Sequence, residues 1–342
     1  MTTPLSARAS APTPPAAPAA SAASQASSGR MQAWGTYVGL FLVLAAMVAL
    51  FSFLSEYFWS TETFVTIANE IPALAVMAVG MTFVLILAGI DLSVGSVLAL
   101  SAAVAAQAIL VWGLNPWAAG ALGLLCGLLC GAVLGSISVV WRLPTFIVSL
   151  GMLEALRGAA YLVTDSRTQY VGDAISGLAA PIAYGVSAAF VIAIVVVALG
   201  QIVLTRTVFG RYVVGIGTNE EAMRLAGIDP RPIRILVFAL TGLLAGLAGL
   251  MQSARLEAAD PNAGSGMELQ VIAAVVIGGT SLMGGRGSVI ATFFGVLIIA
   301  VLEAGLAQIG ASEPAKRIIT GAVIVVAVII DTVRQRRAAR RA

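Results

Sequence analysis

The residues able to do chemistry in this chain of 342 are few, and they stand in apolar surroundings. Glu154 and Arg157 lie three apart in the run SLGMLEALRGAAYLV, hence on neighbouring positions of one helix face. A bare charge midway along a membrane-length helix costs roughly 3 kcal/mol even on the lenient insertion scale, so both must pair or face a cavity. The pair either ties its helix to a neighbour or contacts a polar solute. Asp91 and Ser93, in AGIDLSVGSV, stand between two apolar runs. Either side chain can cap the following helix by accepting from its free N–H groups. Alternatively the segment is a broken helix lining a path, because irregular backbone at membrane depth is tolerated only against protein or water.

What is missing excludes more. Histidine is absent, which removes the commonest general base and metal ligand. Lysine occurs once, at Lys316, outside any GxxxxGK[ST], so the chain carries no Walker-type phosphate loop. The Gly-rich stretch 279–288, GTSLMGGRGS, lacks that lysine and a preceding strand, and reads as a tight turn between helices with Arg286 as an inner anchor. Cys126 and Cys130 lie four apart in an apolar run, where they serve as small hydrophobes with no further thiol to complete a site. No catalytic residue, metal or cofactor is therefore expected on this chain.

The elements that hold these residues follow from composition. The chain is 59% hydrophobic and 10% charged, whereas charged residues make up about a quarter of a soluble domain. The net charge of +3 offers no basic face for nucleic acid. Residues 1–32, rich in Ala, Pro and Ser, read as a disordered tail, not a cleavable signal, since the first apolar run is long enough to span a bilayer. Apolar runs then recur at 35–54, 70–90, 94–112, 116–139, 144–164, 184–204, 234–252, 268–283, 287–308 and 315–333. Each is near the ~20 residues that cross the hydrocarbon core. The expected fold is an all-α polytopic membrane bundle of about ten transmembrane helices, with a membrane domain over 33–333 and a basic tail at 334–342.

Charge placement sets the orientation. With the N-terminus inside, the inner side collects Arg8, Arg30, Arg142, Arg206, Arg211, Arg224, Arg231, Arg234, Arg286, Arg334, Arg336, Arg337, Arg340 and Arg341, and the outer side only Arg167, Arg255, Lys316 and Arg317. That bias puts both termini in the cytoplasm. Small residues crowd the fourth and seventh runs, GLLCGLLCGAVLGS and GLLAGLAGL, which predicts close helix packing. The outer loops carry mixed charge at Asp165, Arg167, Asp173, Arg255, Glu257 and Asp260, either as solvated loop residues or as a rim that orients a docking protein.

The longest inner loop, 205–233, contains a helix signal: Thr218 or Asn219 as cap, Glu220 and Glu221 in the first turn, and Arg224 in the next. It reads as a short surface helix, either a knob for a cytoplasmic partner or an ordinary connector. Here the sequence resembles a family. GTNEEAMRLAGI (217–228), AGIDLSVGSV (88–97), LPTFIVSLGMLEALRG (143–158) and AVVIGGTSLMGGRGSV (274–289) are similar to the ribose/monosaccharide-type permease family of bacterial ABC importers. The resemblance runs from about residue 35 to 333.

It implies an inner-membrane permease with a second permease copy or paralogue, a cytoplasmic ABC ATPase carrying the ATP and Mg, and a periplasmic solute-binding protein. It makes the 217–228 helix the ATPase-coupling element, through Gly217, Asn219, Glu220, Glu221, Ala222, Arg224, Leu225 and Gly227. Asp91, Ser93, Phe146, Ser149, Glu154 and Arg157 become candidates for the translocation pathway. One stretch departs from the family's pattern: EAGLAQIGASEPAKR (303–317) stands where Asn-rich and aromatic-Gln sequence is usual, leaving pentoses, hexoses, polyols and nucleosides open. A branched-chain amino acid permease and an ion-gradient-driven transporter are the rival readings. The latter would need intramembrane acids, and Glu154, Asp91 and Glu303 are the few on offer.

Overall fold

The computed structural model describes residues 19–339, so parts of the two expected tails, 1–18 and 340–342, lie outside the described residues. In order the helices are α1 (Ala19–Leu54), α2 (Thr61–Glu70), α3 (Pro72–Ile86), α4 (Val94–Leu110), α5 (Pro116–Val140), α6 (Thr145–Val163), α7 (Ala188–Arg206), α8 (Val208–Thr218), α9 (Glu220–Leu225), α10 (Pro230–Leu256), α11 (Met267–Ile277), α12 (Val289–Gln308) and α13 (Glu313–Ala339). The chain divides into two compact units, 1–39 and 40–342, and the bundle belongs to the second. Helix α1 already begins inside the Ala/Ser-rich stretch expected to be a tail, where alanine carries the best helix propensity.

Helix starts follow local chemistry. Asn115 accepts from the Ala118 N–H at 2.9 Å, and Ser60, Ser187 and Ser288 cap α2, α7 and α12 in the same way. Six helices among the described residues are long and apolar enough to cross a membrane alone, and the pair α2–α3, bent by 47° at Ile71, makes a seventh. Pro72 sits at the first position of α3, where its missing N–H costs nothing. Two of the ten expected crossings are shortened to Val94–Leu110 and Met267–Ile277. Both begin where expected, within a residue, and end early: α4 stops at Leu110, and α11 stops at Ile277, where the Gly-rich turn 278–288 takes over.

Helix α3 is buried along its whole length, packed by α7, α10, α11 and α12. The two glycine-rich helices face each other. A Cβ on Gly127 would overlap the Gly242 carbonyl, one on Gly131 the Phe238 carbonyl, and one on Gly242 the Gly127 carbonyl. With four-residue spacing these glycines form one face of α5, and their missing side chains let the α5 and α10 backbones touch.

Between the helices, β1 (Gln169–Tyr170) pairs antiparallel with β4 (Ala258–Ala259), and β2 (Pro181–Ala183) with β3 (Val186–Ser187). Beyond β4 the chain does not stay at the surface. Gly264 abuts Gly95 in the first turn of α4, and Arg157, midway along α6, donates to the carbonyls of Pro261 at 2.6 Å and Ala263 at 2.7 Å. Residues 257–266 therefore re-enter the bundle. Asp260 accepts from the Asn262 N–H at 2.8 Å and shapes the turn.

Candidate functional site

The inner loop folds as three capped pieces. Thr207 accepts from the Gly210 N–H at 3.1 Å to start α8, Asn219 from the Ala222 N–H at 2.9 Å to start α9, and Asp229 from the Arg231 N–H at 3.0 Å to start α10. The surface helix therefore forms where the spacing predicts it, with Asn219 rather than Thr218 as its cap. Glu220 and Glu221 fill its first turn and Arg224 its last, so each charge complements the helix dipole. Gly227, at φ +82°, ends it in a left-handed turn in which the Ile228 N–H donates to the Met223 carbonyl at 3.0 Å.

None of the six residues of α9 is buried, and Leu225 is 83% exposed. Two side chains seat the helix. Met223 lies over Gly215 of α8, and Glu220 meets Arg234 of α10 at 2.6 Å. The Glu221–Arg224 contact, 3.8 Å between exposed side chains, contributes little. Beside α9 opens a cavity of about 730 Å³, walled by Arg142, Arg224, Arg231, Arg234, Glu220 and the turn between α5 and α6. Four guanidinium groups against Glu220 and Asp229 make it basic.

A backbone contact joins this knob to the bundle. The Gly285 N–H donates to the Ile86 carbonyl at 2.9 Å, and a Cβ on Gly217 would overlap that same carbonyl. The ends of α3 and α8 and the Gly-rich turn 278–288 thus meet with no side chain between them. Gly284 and Gly285, at φ +85° and +78°, supply the conformation that brings the turn in. The end of α8, the helix just before α9, thus abuts the start of the segment after Ile86.

That segment holds Asp91 and Ser93, which are 2% and 1% exposed. Asp91 Oδ1 accepts from the Ser93 N–H at 2.8 Å and from its hydroxyl at 2.6 Å, at the start of α4. The backbone here is irregular and enclosed by protein: Ile90 donates its N–H to Thr145 Oγ1 at 3.0 Å, and the Ser149 hydroxyl reaches the Ile90 carbonyl at 3.4 Å. Ser149 is fully buried, whereas Phe146 is half exposed and Glu154 lies on the exposed face of α6.

Of the two readings open for Glu154 and Arg157, Arg157 ties α6 to a neighbouring segment, and Glu154 takes no part in the tie. Among the described residues no ion pair joins them, because Arg157 turns to the carbonyls of the re-entrant loop, helped by Tyr161 donating to Asn262 Oδ1. The six candidates for a pathway therefore fall in three places. Asp91, Ser93 and Ser149 share the buried break, Arg157 clamps the loop, and Phe146 and Glu154 face outward. Arg142, Asp229 and Arg234 join the inner site without having been singled out by sequence. Their only signal was position at the ends of runs, and the partner of Arg234 stands 14 residues away. No group of three His, Cys, Asp or Glu able to hold a metal occurs among the described residues.

A bundle of apolar helices, six of them long enough to cross a membrane alone, with a charged, exposed helix on a short loop, defines a multi-pass membrane protein. Comparison with known proteins supplies the family: the chain belongs to the one described as the branched-chain amino acid transport system / permease component, which matches residues 63–328. It is 39% identical over 311 residues to the ribose import permease protein RbsC of Escherichia coli K12, covering 89% of this chain and 96% of that one. It is 36% identical to RbsC of Bacillus subtilis, covering 89% and 94%, and 33% identical to the fructose import permease protein FrcC of Rhizobium meliloti, covering 86% and 84%. No solved structure matches the chain.

Proposed function

We propose that this chain is the membrane subunit of an ATP-driven importer that carries a monosaccharide or similar small polar solute into the cytoplasm. The observation that carries the reading is the similarity, along nearly the whole chain, to permeases named for ribose, allose and fructose. The family description names branched-chain amino acids, and a hydrophobic amino acid is the second reading.

The chain itself performs no covalent chemistry. ATP and Mg reside on a separate cytoplasmic ATPase that seats on α9, through Gly217, Asn219, Glu220, Glu221, Ala222, Arg224, Leu225 and Gly227. A periplasmic binding protein delivers the solute, and a second permease copy or paralogue completes the pathway. The protein lies in the bacterial inner membrane with both termini cytoplasmic, as the excess of arginine on one side supports. ATPase closure moves the knob, and its different contacts in the two states shift the pathway between inward and outward access.

Reconstituting the permease with its ATPase and binding protein in proteoliposomes tests this. ATP-dependent uptake of at least one of D-ribose, D-allose or D-fructose is expected. Uptake of leucine in their place would favour the second reading, and uptake driven by an ion gradient without ATP would overturn both.

A further inference from the structure

Away from α9, the bundle holds a cavity of about 490 Å³ with a mixed polar and apolar lining. Its walls are the tip of the re-entrant loop, the first turn of α11, the last turns of α12, the first turns of α13 and the end of α2. The volume lies within the roughly 300–1,000 Å³ of small-molecule sites. Irregular backbone at this depth is tolerated where it lines such a space, and Ser265 and Gly266 do so.

Four of the lining side chains form two hydrogen-bonded pairs with groups to spare. Gln270 Nε2 donates to Glu303 Oε1 at 2.6 Å, which orients both. Glu303 Oε2 and Gln270 Oε1 are left as acceptors with no partner among the described residues. Opposite them, Lys316 Nζ donates to Glu313 Oε1 at 2.7 Å and keeps two further N–H donors. Leu269 and Ala304 supply an apolar strip between the two polar pairs. With Glu70 and Arg317 the lining carries three acids and two bases, a formal charge of −1 that disfavours phosphorylated or acidic solutes.

We propose that this cavity is a solute subsite of the permease itself, taking a neutral polyhydroxylated molecule whose adjacent hydroxyls bridge Glu303 and Gln270 on one wall and Lys316 on the other. A sugar presents what the walls require: donors for the two free acceptors, acceptors for the ammonium, and a C–H face for Leu269. The inference rests on the sugar-import reading above and adds selection by this subunit. It also gives a role to the stretch 303–317, which departs from the family's pattern.

The test uses the importer assembled from permease, ATPase and binding protein in proteoliposomes, with D-ribose, D-allose and D-fructose as probes. Glu303→Gln keeps the size of the side chain and an oxygen for Gln270, while Lys316→Met removes the opposite donor. Each is expected to lower uptake per ATP hydrolysed at least tenfold, with the affinity of the loaded binding protein for the importer held within twofold, and Glu303→Asp to recover part of the loss. Unchanged uptake per ATP in both variants would overturn the proposal. So would a tenfold loss of binding-protein affinity, which would make the cavity a docking surface for that protein. A wild-type importer that carries none of the three sugars overturns the sugar reading first, and this inference with it.

Discussion

Replacing Glu220 by alanine removes one of the two side chains that seat α9. The carboxylate lies 2.6 Å from Nη2 of Arg234, whose side chain is 20% exposed and whose buried Nε has no hydrogen-bond partner. An exposed pair is worth at most about 1 kcal/mol, and stripping one partner from a buried pair costs about 3–5 kcal/mol. With the Glu220 side chain 43% exposed, the loss falls between these, at about 2 kcal/mol. A six-residue helix has no stability of its own to absorb that loss. Two kcal/mol is about 30-fold in the ratio of seated to unseated knob.

In proteoliposomes with the ATPase and binding protein, uptake per ATP is therefore expected to fall by about ten- to thirtyfold, because hydrolysis continues while the stroke is lost. The thermal midpoint of the purified permease should move little, since α9 buries nothing. Exchanging the charges, Glu220→Arg with Arg234→Glu, should restore the ratio to within about threefold if the pair acts as a unit. A wild-type ratio in Glu220→Ala, or a charge swap that folds and inserts yet stays uncoupled, would refute the reasoning.

Three further substitutions probe the frame around the knob. Gly131→Val should separate the α5 and α10 backbones, cost about 3 kcal/mol or more and lower the thermal midpoint, whereas Gly120→Ala, whose Cβ would meet only the Leu250 side chain at 3.7 Å, should be near neutral. Arg157→Met removes two charge-assisted bonds at 2.6 and 2.7 Å, each worth about 1.5–3 kcal/mol. Thiol labelling of an introduced Asn262→Cys should then accelerate several-fold. Gly217→Ala should leave membrane insertion intact and lower uptake per ATP, because its Cβ overlaps the Ile86 carbonyl where knob and bundle meet.

Much of this was legible where the governing chemistry is local. The cap at Asn219, the acids after it and the glycine that ends the helix depend on neighbours within a few residues, and the structure builds the helix from those groups. The small-residue rows of α5 and α10 announced close packing, though not that each was the other's partner, because spacing defines a face and not what it meets. Arg157 shows the limit. A separation of three places Glu154 nearby, yet carbonyls 104 and 106 residues further on win the guanidinium, since they offer two bonds at depth and Glu154 turns outward. The re-entrant stretch ADPNAGSG has the composition of any surface turn, and only its contacts with Gly95 and Arg157 reveal its depth. The cavity around Glu303 was hidden for the same reason, as it gathers residues from α2, α11, α12 and α13.

The central claim is that α9 is a knob on the cytoplasmic face, opposite the outer strands. With Cys126 and Cys130 replaced by alanine, a Leu225→Cys chain should react with a membrane-impermeant maleimide only in inverted vesicles. A Tyr184→Cys chain, whose site is 96% exposed beside β2 and β3, should react only in intact cells opened to the periplasm. Labelling of Leu225→Cys from the periplasmic side would contradict the account.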